Sequence, residues 1–167
     1  HFEISKPLIS YHRHNEETKS DRLIEKLNNG ENIALVSDAG TPGICDPGEE
    51  VIKKAIEEKI EVIPIPGACA FVNALIASGL DTKEFTFLGF LPLNKKLRKE
   101  KLDEINKSEK TIIIYEAPHK MKNTLTDLKN ILNNRKIVLA RELTKIHEEF
   151  IRSNIDELIE NINNIKG

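Results

Sequence analysis

The chain has 167 residues, 39% hydrophobic and 31% charged, with a formal net charge of −2. That length buries a real core in one compact domain or two small ones, and the composition is globular rather than disordered or fibrous. No apolar run approaches the roughly 20 residues that span a bilayer, the opening HFEISKPLIS lacks the layout of a signal peptide, and the balance of charge lacks the strong basic excess of a phosphate-binding chain. The expectation is a cytoplasmic protein with no membrane partner.

Taken in order, helix and strand patterns alternate, which is the signature of an α/β architecture. Residues 15–29 read as a helix closed by Gly30, with Leu23, Ile24 and Leu27 on one face. Residues 33–36 form an apolar strand-like run, followed at 37–48 by SDAGTPGICDPG. Glycine permits backbone angles and close approaches that a Cβ blocks, and proline fixes φ, so this loop reads as a preshaped cradle at a strand's carboxyl end. Ligands of open α/β sheets bind there. Asp38, at the first bend, is the residue expected to meet a polar part of a ligand, through a hydroxyl or an ammonium group. Asp46 reads instead as the N-cap of the next helix, with Pro47 at its first position and carboxylates in its first turn.

That helix, about 47–59, carries Val51, Ile52, Ala55 and Ile56 as a core-facing stripe. Residues 60–65 are a β-branched strand-like run ending in a turn at 64–67, and 68–78 read as a buried helix ended by Gly79. A domain junction is expected near 80–84, giving an N-terminal α/β domain over 1–82 and a C-terminal one over 83–167. The second half repeats the alternation: strand 85–90, with Phe85 and Phe87 on one face, helix 95–107, strand 111–115, helix 118–132, strand 136–140 and a last helix over 155–165.

Three further loops follow strand-like runs. IPGACA at 65–70 starts a helix, so its first-turn N–H groups share a pocket with the Asp38 loop if the two strands are neighbours. YEAPHK at 115–120 places Glu116 and His119 on either side of Pro118, and a cap or solvent role is the plainer reading of each. ARELTKIHEE at 140–149 offers Arg141, Glu142, Lys145, His147 and Glu148. Local charge is concentrated in KKLRKEK at 95–101 and in His119, Lys120 and Lys122, either solvated helix faces or a polyanion-facing patch. Cys45 and Cys69 match neither a disulfide framework nor a zinc spacing, and His12 with His14 lacks the ligand count of a metal site, so no metal is expected. There is no Gly-x-Gly-x-x-Gly, no Gly-Lys-Ser/Thr phosphate loop and no Gly-x-Ser-x-Gly elbow, which removes the main support for dinucleotide, nucleoside triphosphate and hydrolase chemistry.

Five segments together, SDAGTPGICDPG at 37–48, IPGACA at 65–70, FTFLGFLP at 85–92, YEAPHK at 115–120 and ARELTKIHEEF at 140–150, resemble the tetrapyrrole methylase superfamily. Within it they are most similar to the ribosomal RNA small subunit methyltransferase I branch. The resemblance implies two small α/β domains with a ligand cleft between them, a class III methyltransferase-like fold. It implies transfer of a methyl group from S-adenosyl-L-methionine to the 2′-hydroxyl of a cytidine in 16S rRNA, in a homodimer acting on the rRNA or the small ribosomal subunit. It places the cofactor against Ser37, Asp38, Thr41, Cys69, Ala70, Glu116 and Glu142. Glu116, Lys145 and His147 are the candidates to polarise the ribose hydroxyl, and His119, Lys120, Arg141 and Lys145 those to hold RNA. A tetrapyrrole-type small-molecule methyltransferase and a noncatalytic RNA-binding fragment are the alternatives. The family's usual first strand with its Gly-Thr-Pro-type loop, an acidic Asp-Thr-Arg segment and its closing strands have no counterpart, so the chain is expected to be an internal fragment. Cys45 and Cys69 stand where the family often has Ser, and Lys120 where it often has Arg.

Overall fold

The computed structural model describes residues 3–132 and 135–162, and the end of the expected last helix lies outside them. Mixed helix and strand content makes the chain α/β. It divides into two compact units, His1–Ala68 and Cys69–Gly167.

In the first unit, α1 (Glu16–Asn28) and α2 (Glu49–Glu57) pack together. Leu23 and Ile24 of α1 meet Val51 and Ala55 of α2, with Tyr11, Leu27, Ile52 and Ile60 around them. Burying each Leu or Ile contributes about 1.5–3 kcal/mol. Tyr11 shares a hydrogen bond of 2.9 Å with the fully buried Ser20, which satisfies the one polar group inside this seam. α1 ends as its pattern predicts: Gly30 takes φ +86° and its N–H donates to Leu27 O at 2.9 Å, while Glu31 N reaches Lys26 O.

α2 starts later than expected, and Asp46 does not cap it. The N-cap is Gly48, at φ +146°, and Glu16 Oε1 accepts from its N–H at 2.8 Å. A helical start at Pro47 is incompatible with that φ. Ile56, expected in the stripe, is 62% exposed, whereas Val51, Ile52 and Ala55 pack in the α1–α2 cluster. The runs 33–36 and 60–65, expected as strands, are not in a sheet ladder among the described residues. Residue type sets an extended preference, whereas a strand also needs a hydrogen-bonded neighbour.

The second unit begins with α3 (Ala70–Ile76), then β1 (Phe85–Phe90), α4 (Lys95–Lys107) and β2 (Thr111–Tyr115). A single 3₁₀ turn (Pro118–Lys120) leads into α5 (Met121–Ile131), followed by β3 (Ile137–Arg141), β4 (Glu149–Ser153) and α6 (Ile155–Asn161). β1 and β2 pair in parallel across the α4 crossover, and β3 and β4 form an antiparallel hairpin. The core gathers Leu91, Ile105, Leu125, Leu128, Ile155 and Leu158. α4 and α6 are capped by Asn94, which accepts from Lys96 N and Leu97 N, and by Asn154, which accepts from Glu157 N.

The sequence places the domain junction near residues 80–84. The compact units divide at 68/69, and α3 goes with the second because Phe71 stacks on Phe87 at 4.4 Å and its N–H donates to the Tyr115 hydroxyl at 3.1 Å. α3 is only half-buried: Leu75 is inside while Val72 and Ile76 are exposed, so its apolar composition overstated its burial. β4 has no turn signal before it, since its loop bends at Glu142 (φ +50°) and Thr144 (φ +67°), residues that rarely adopt left-handed angles.

Candidate active site

Within the first unit, the loop at 37–48 closes on itself and on the segment ahead of Cys69. Ser37 Oγ donates to Ala39 O at 3.2 Å and Gly40 O at 3.4 Å, and Thr41 Oγ1 donates to Ala68 O at 3.0 Å. Gly40 and Gly43 sit at φ +73° and +82°. Gly48 sits at φ +146°, an angle side chains rarely adopt, and a Cβ there would also displace Leu35 Cδ2, 2.7 Å away. Arg13 Nη2 donates to the carbonyl of Cys45, itself at φ +60°. The Asp38 carboxylate is exposed and makes no hydrogen bond or ion pair among the described residues. Thr41 thus ties the loop at 37–48 to residue 68, and the loop presents one carboxylate, Asp38, without a partner among the described residues.

In the second unit an open cleft of about 640 Å³ runs along Thr111–Tyr115 of β2 and residues 136–140 beside and within β3. Its volume is that of a ligand pocket. Its lining mixes apolar side chains, among them Ile112, Ile114, Leu128 and Leu139, with polar ones that include Glu116, Glu142 and Lys145. Ala70 also lines it, while Cys69 instead occupies the N-cap of α3 and accepts through its carbonyl from Asn73.

Glu116 follows the last residue of β2 and is the best-held carboxylate of the lining. Its Oε1 accepts from Ala117 N at 2.8 Å and its Oε2 from the Thr124 hydroxyl at 2.6 Å. Thr124, 1% exposed on α5, in turn accepts from Arg98 Nη2 at 2.8 Å, and Arg98 Nε is held by Asp127 at 2.8 Å. A relay from α4 through α5 thus orients the carboxylate with every buried polar group satisfied.

Of the other candidates, two are paired to carboxylates. Lys145 Nζ donates to Glu142 Oε1 at 3.1 Å, and Arg141 Nε to Glu149 Oε2 at 2.7 Å. His147 is exposed and does not line the cleft. His119 and Lys120 lie on the 3₁₀ turn beyond Glu116, outside the cleft lining. His12 and His14 stack edge to face at 6.0 Å, and among the described residues no group of three or more His, Cys, Asp or Glu side chains is placed to hold a metal ion.

Thr124 and Arg98 were not among the sequence candidates. A signal existed: Met121, Thr124, Leu125 and Leu128 recur at i, i+3, i+4 and i+7, so Thr124 is the polar residue on an apolar stripe. Its partner, 26 positions away, had no local mark.

The family described as Tetrapyrrole (Corrin/Porphyrin) Methylases matches residues 3–159. Proteins named ribosomal RNA small subunit methyltransferase I are similar over most of the chain. That of Halalkalibacterium halodurans is 54% identical over 159 residues, covering 95% of this chain and 55% of the relative. That of Bacillus subtilis is 51% identical over 158 residues, covering 95% and 54%. That of Haemophilus influenzae is 46% identical over 172 aligned positions, covering 100% and 61%. The chain therefore spans little more than half the length of these relatives. With a family match across nearly all of its residues, the chain belongs to the tetrapyrrole methylase family.

Proposed function

We propose that the protein to which this chain belongs methylates the ribose 2′-hydroxyl of a cytidine in 16S rRNA, using S-adenosyl-L-methionine. The observation that carries the reading is the identity of about half of all aligned residues to relatives named for small-subunit rRNA methylation. The donor set fits the cofactor's chemistry. S-adenosylmethionine is a sulfonium and ammonium cation with a ribose diol, and Asp38, Glu116 and Glu142 are carboxylates, the first without a partner among the described residues. Ser37, Asp38, Thr41, Cys69, Ala70, Glu116 and Glu142 are the residues proposed to hold it. When bound, the cofactor supplies a methyl group whose transfer forms an O–C bond, breaks the C–S bond and leaves the electron pair on sulfur.

The chain's task is then to align the ribose oxygen and exclude water. Glu116 is the best-placed group to polarise the hydroxyl, because two hydrogen bonds fix its carboxylate while each oxygen keeps a further lone pair. It orients the hydroxyl and takes the proton as the O–C bond forms. Lys145, paired to Glu142, suits a phosphate better than a base. His147 is the remaining candidate, and it stands apart from the cleft. The homodimer implied by the resemblance belongs to the same proposal.

The test uses the full-length protein: calorimetry with S-adenosylmethionine, then transfer of labelled methyl to small ribosomal subunits and nuclease mapping of the product. The expected result is label on a cytidine ribose, with E116Q lowering kcat at least tenfold, on the order of one positioned hydrogen-bonding group. Label on a base, or transfer to a tetrapyrrole instead of rRNA, overturns it.

A further inference from the structure

Two basic runs that are separate in sequence come together at one edge of the second unit. β1 and β2 are parallel, so the helices that follow them, α4 and α5, both begin at the same strand ends, and Arg98 of α4 joins them by bonding Thr124 and Asp127 of α5. Lys95 lies one helical turn before Arg98, and Lys120 one turn before Thr124. Lys95, Lys96, Lys99, Lys120 and Lys122 have side chains with no ion pair or hydrogen bond among the described residues. The neighbouring cations Arg98 and Lys101 are taken by Asp127 and Glu104, and Glu116 is committed to Thr124 and Ala117, which leaves Glu100 as the single unpaired acid of the 95–101 run.

Helix stability does not account for this placement. α4 opens with Lys95 and Lys96 and has no acid in its first turn, the charge order least favourable to the helix dipole. The same strand edge presents an aromatic ring. β1 shifts register between Phe87 and Gly89, with Gly89 at φ +63°, and this bulge turns Phe90 to the side of Phe87, where both rings meet Tyr115 edge-on at 5.7 and 4.9 Å. Phe90 is nevertheless 53% exposed. Only residues 91–94 intervene before Lys95, at most about 18 Å of extended chain.

We propose that this edge is a single-stranded RNA contact surface, on which Lys95, Lys96, Lys99, Lys120 and Lys122 take phosphates while an unpaired base stacks on Phe90. The inference rests on the rRNA substrate proposed above and adds where the strand is held. Unpaired phosphate-binding cations give affinity without sequence preference, and an exposed ring beside them selects a strand whose bases are splayed over a duplex that hides them.

The experiment titrates the full-length protein into a short fluorescein-labelled single-stranded RNA, and into the same strand annealed to its complement, across a series of KCl concentrations. Fluorescence anisotropy gives the affinity at each. The single strand is expected to bind more tightly, and K95Q/K96Q/K99Q to reduce the slope of log K against log salt by about 2, at roughly 0.7 per phosphate contact. F90A is expected to weaken single-strand binding about 5- to 150-fold with the slope unchanged, and F90W to retain it. A wild-type slope in the triple variant, wild-type affinity in F90A, equal affinity for strand and duplex, or no binding by the unaltered protein each overturns the proposal. Calorimetry with S-adenosylmethionine on the triple variant separates the two readings. Donor binding with an unchanged salt slope sinks the surface alone, and loss of donor binding in the unaltered protein sinks the methyltransferase reading.

Discussion

Replacing Thr124 by Val isolates the relay behind Glu116, because the two side chains have nearly the same shape and differ by the hydroxyl. That hydroxyl donates to Glu116 Oε2 at 2.6 Å and accepts from Arg98 Nη2 at 2.8 Å, and the residue is 1% exposed, so water does not replace it. A buried group left without its partner costs about 1–3 kcal/mol, more when charged. Two such groups would cost up to about 6 kcal/mol. Arg98 keeps Asp127 and a 19% exposed side chain, and Glu116 keeps Ala117 N, so the expected loss for T124V is about 2–4 kcal/mol. T124S restores the hydroxyl and loses one methyl group, about 1 kcal/mol. Urea unfolding followed by far-ultraviolet circular dichroism measures both, and methyl transfer by the full-length protein adds the functional reading, a lower kcat in T124V recovered in T124S. A T124V variant within about 0.5 kcal/mol of the parent, the range of an ordinary surface change, would refute the relay as a structural element. Equal kcat in T124V and T124S would refute its action through Glu116.

Two further outcomes follow from the first unit. G30A and G48A both force a side chain onto a positive φ, but a Cβ at Gly30 meets nothing within 4 Å while one at Gly48 meets Leu35 at 2.7 Å. G30A should cost about 1 kcal/mol and G48A about 2–4 kcal/mol by thermal unfolding, and equal losses would show that the loop yields without strain. Lys54 is held above its usual value of 10.5 chiefly by its hydrogen bond to Asp21, with Glu50 adding a smaller attraction. A raised folded value means that the pair stabilises the fold fully below 10.5 and loses that contribution as pH rises through the folded value. The difference in unfolding midpoint between the parent and K54Q should therefore be constant near neutrality and vanish well above 10.5, and a difference that persists there would assign the effect to packing instead.

What sequence alone determined was local. Helix α1 and its glycine stop, the apolar faces at Leu23, Ile24, Val51 and Ala55, the loops at 37–48 and 115–120, and the family pattern spread over five segments all depend on residue type and spacing within a few turns of chain. Periodicity and glycine chemistry report such features directly. The tertiary structure decided whatever needed a distant partner. The runs 33–36 and 60–65 are apolar and β-branched, yet no ladder partner pairs with them among the described residues. Asp46 has the chemistry of a cap, but Gly48 sits where the helix begins because Glu16, 32 positions earlier, takes its N–H. Glu116 was visible as a strand-end carboxylate, whereas its anchoring by Thr124 and Arg98, and the meeting of the 95–101 and 119–122 cations, exist only once α4 and α5 rise side by side from parallel strands. Hydrogen bonds and charge patches are set by distance in space, and only the packing of elements turns separation along the chain into that distance.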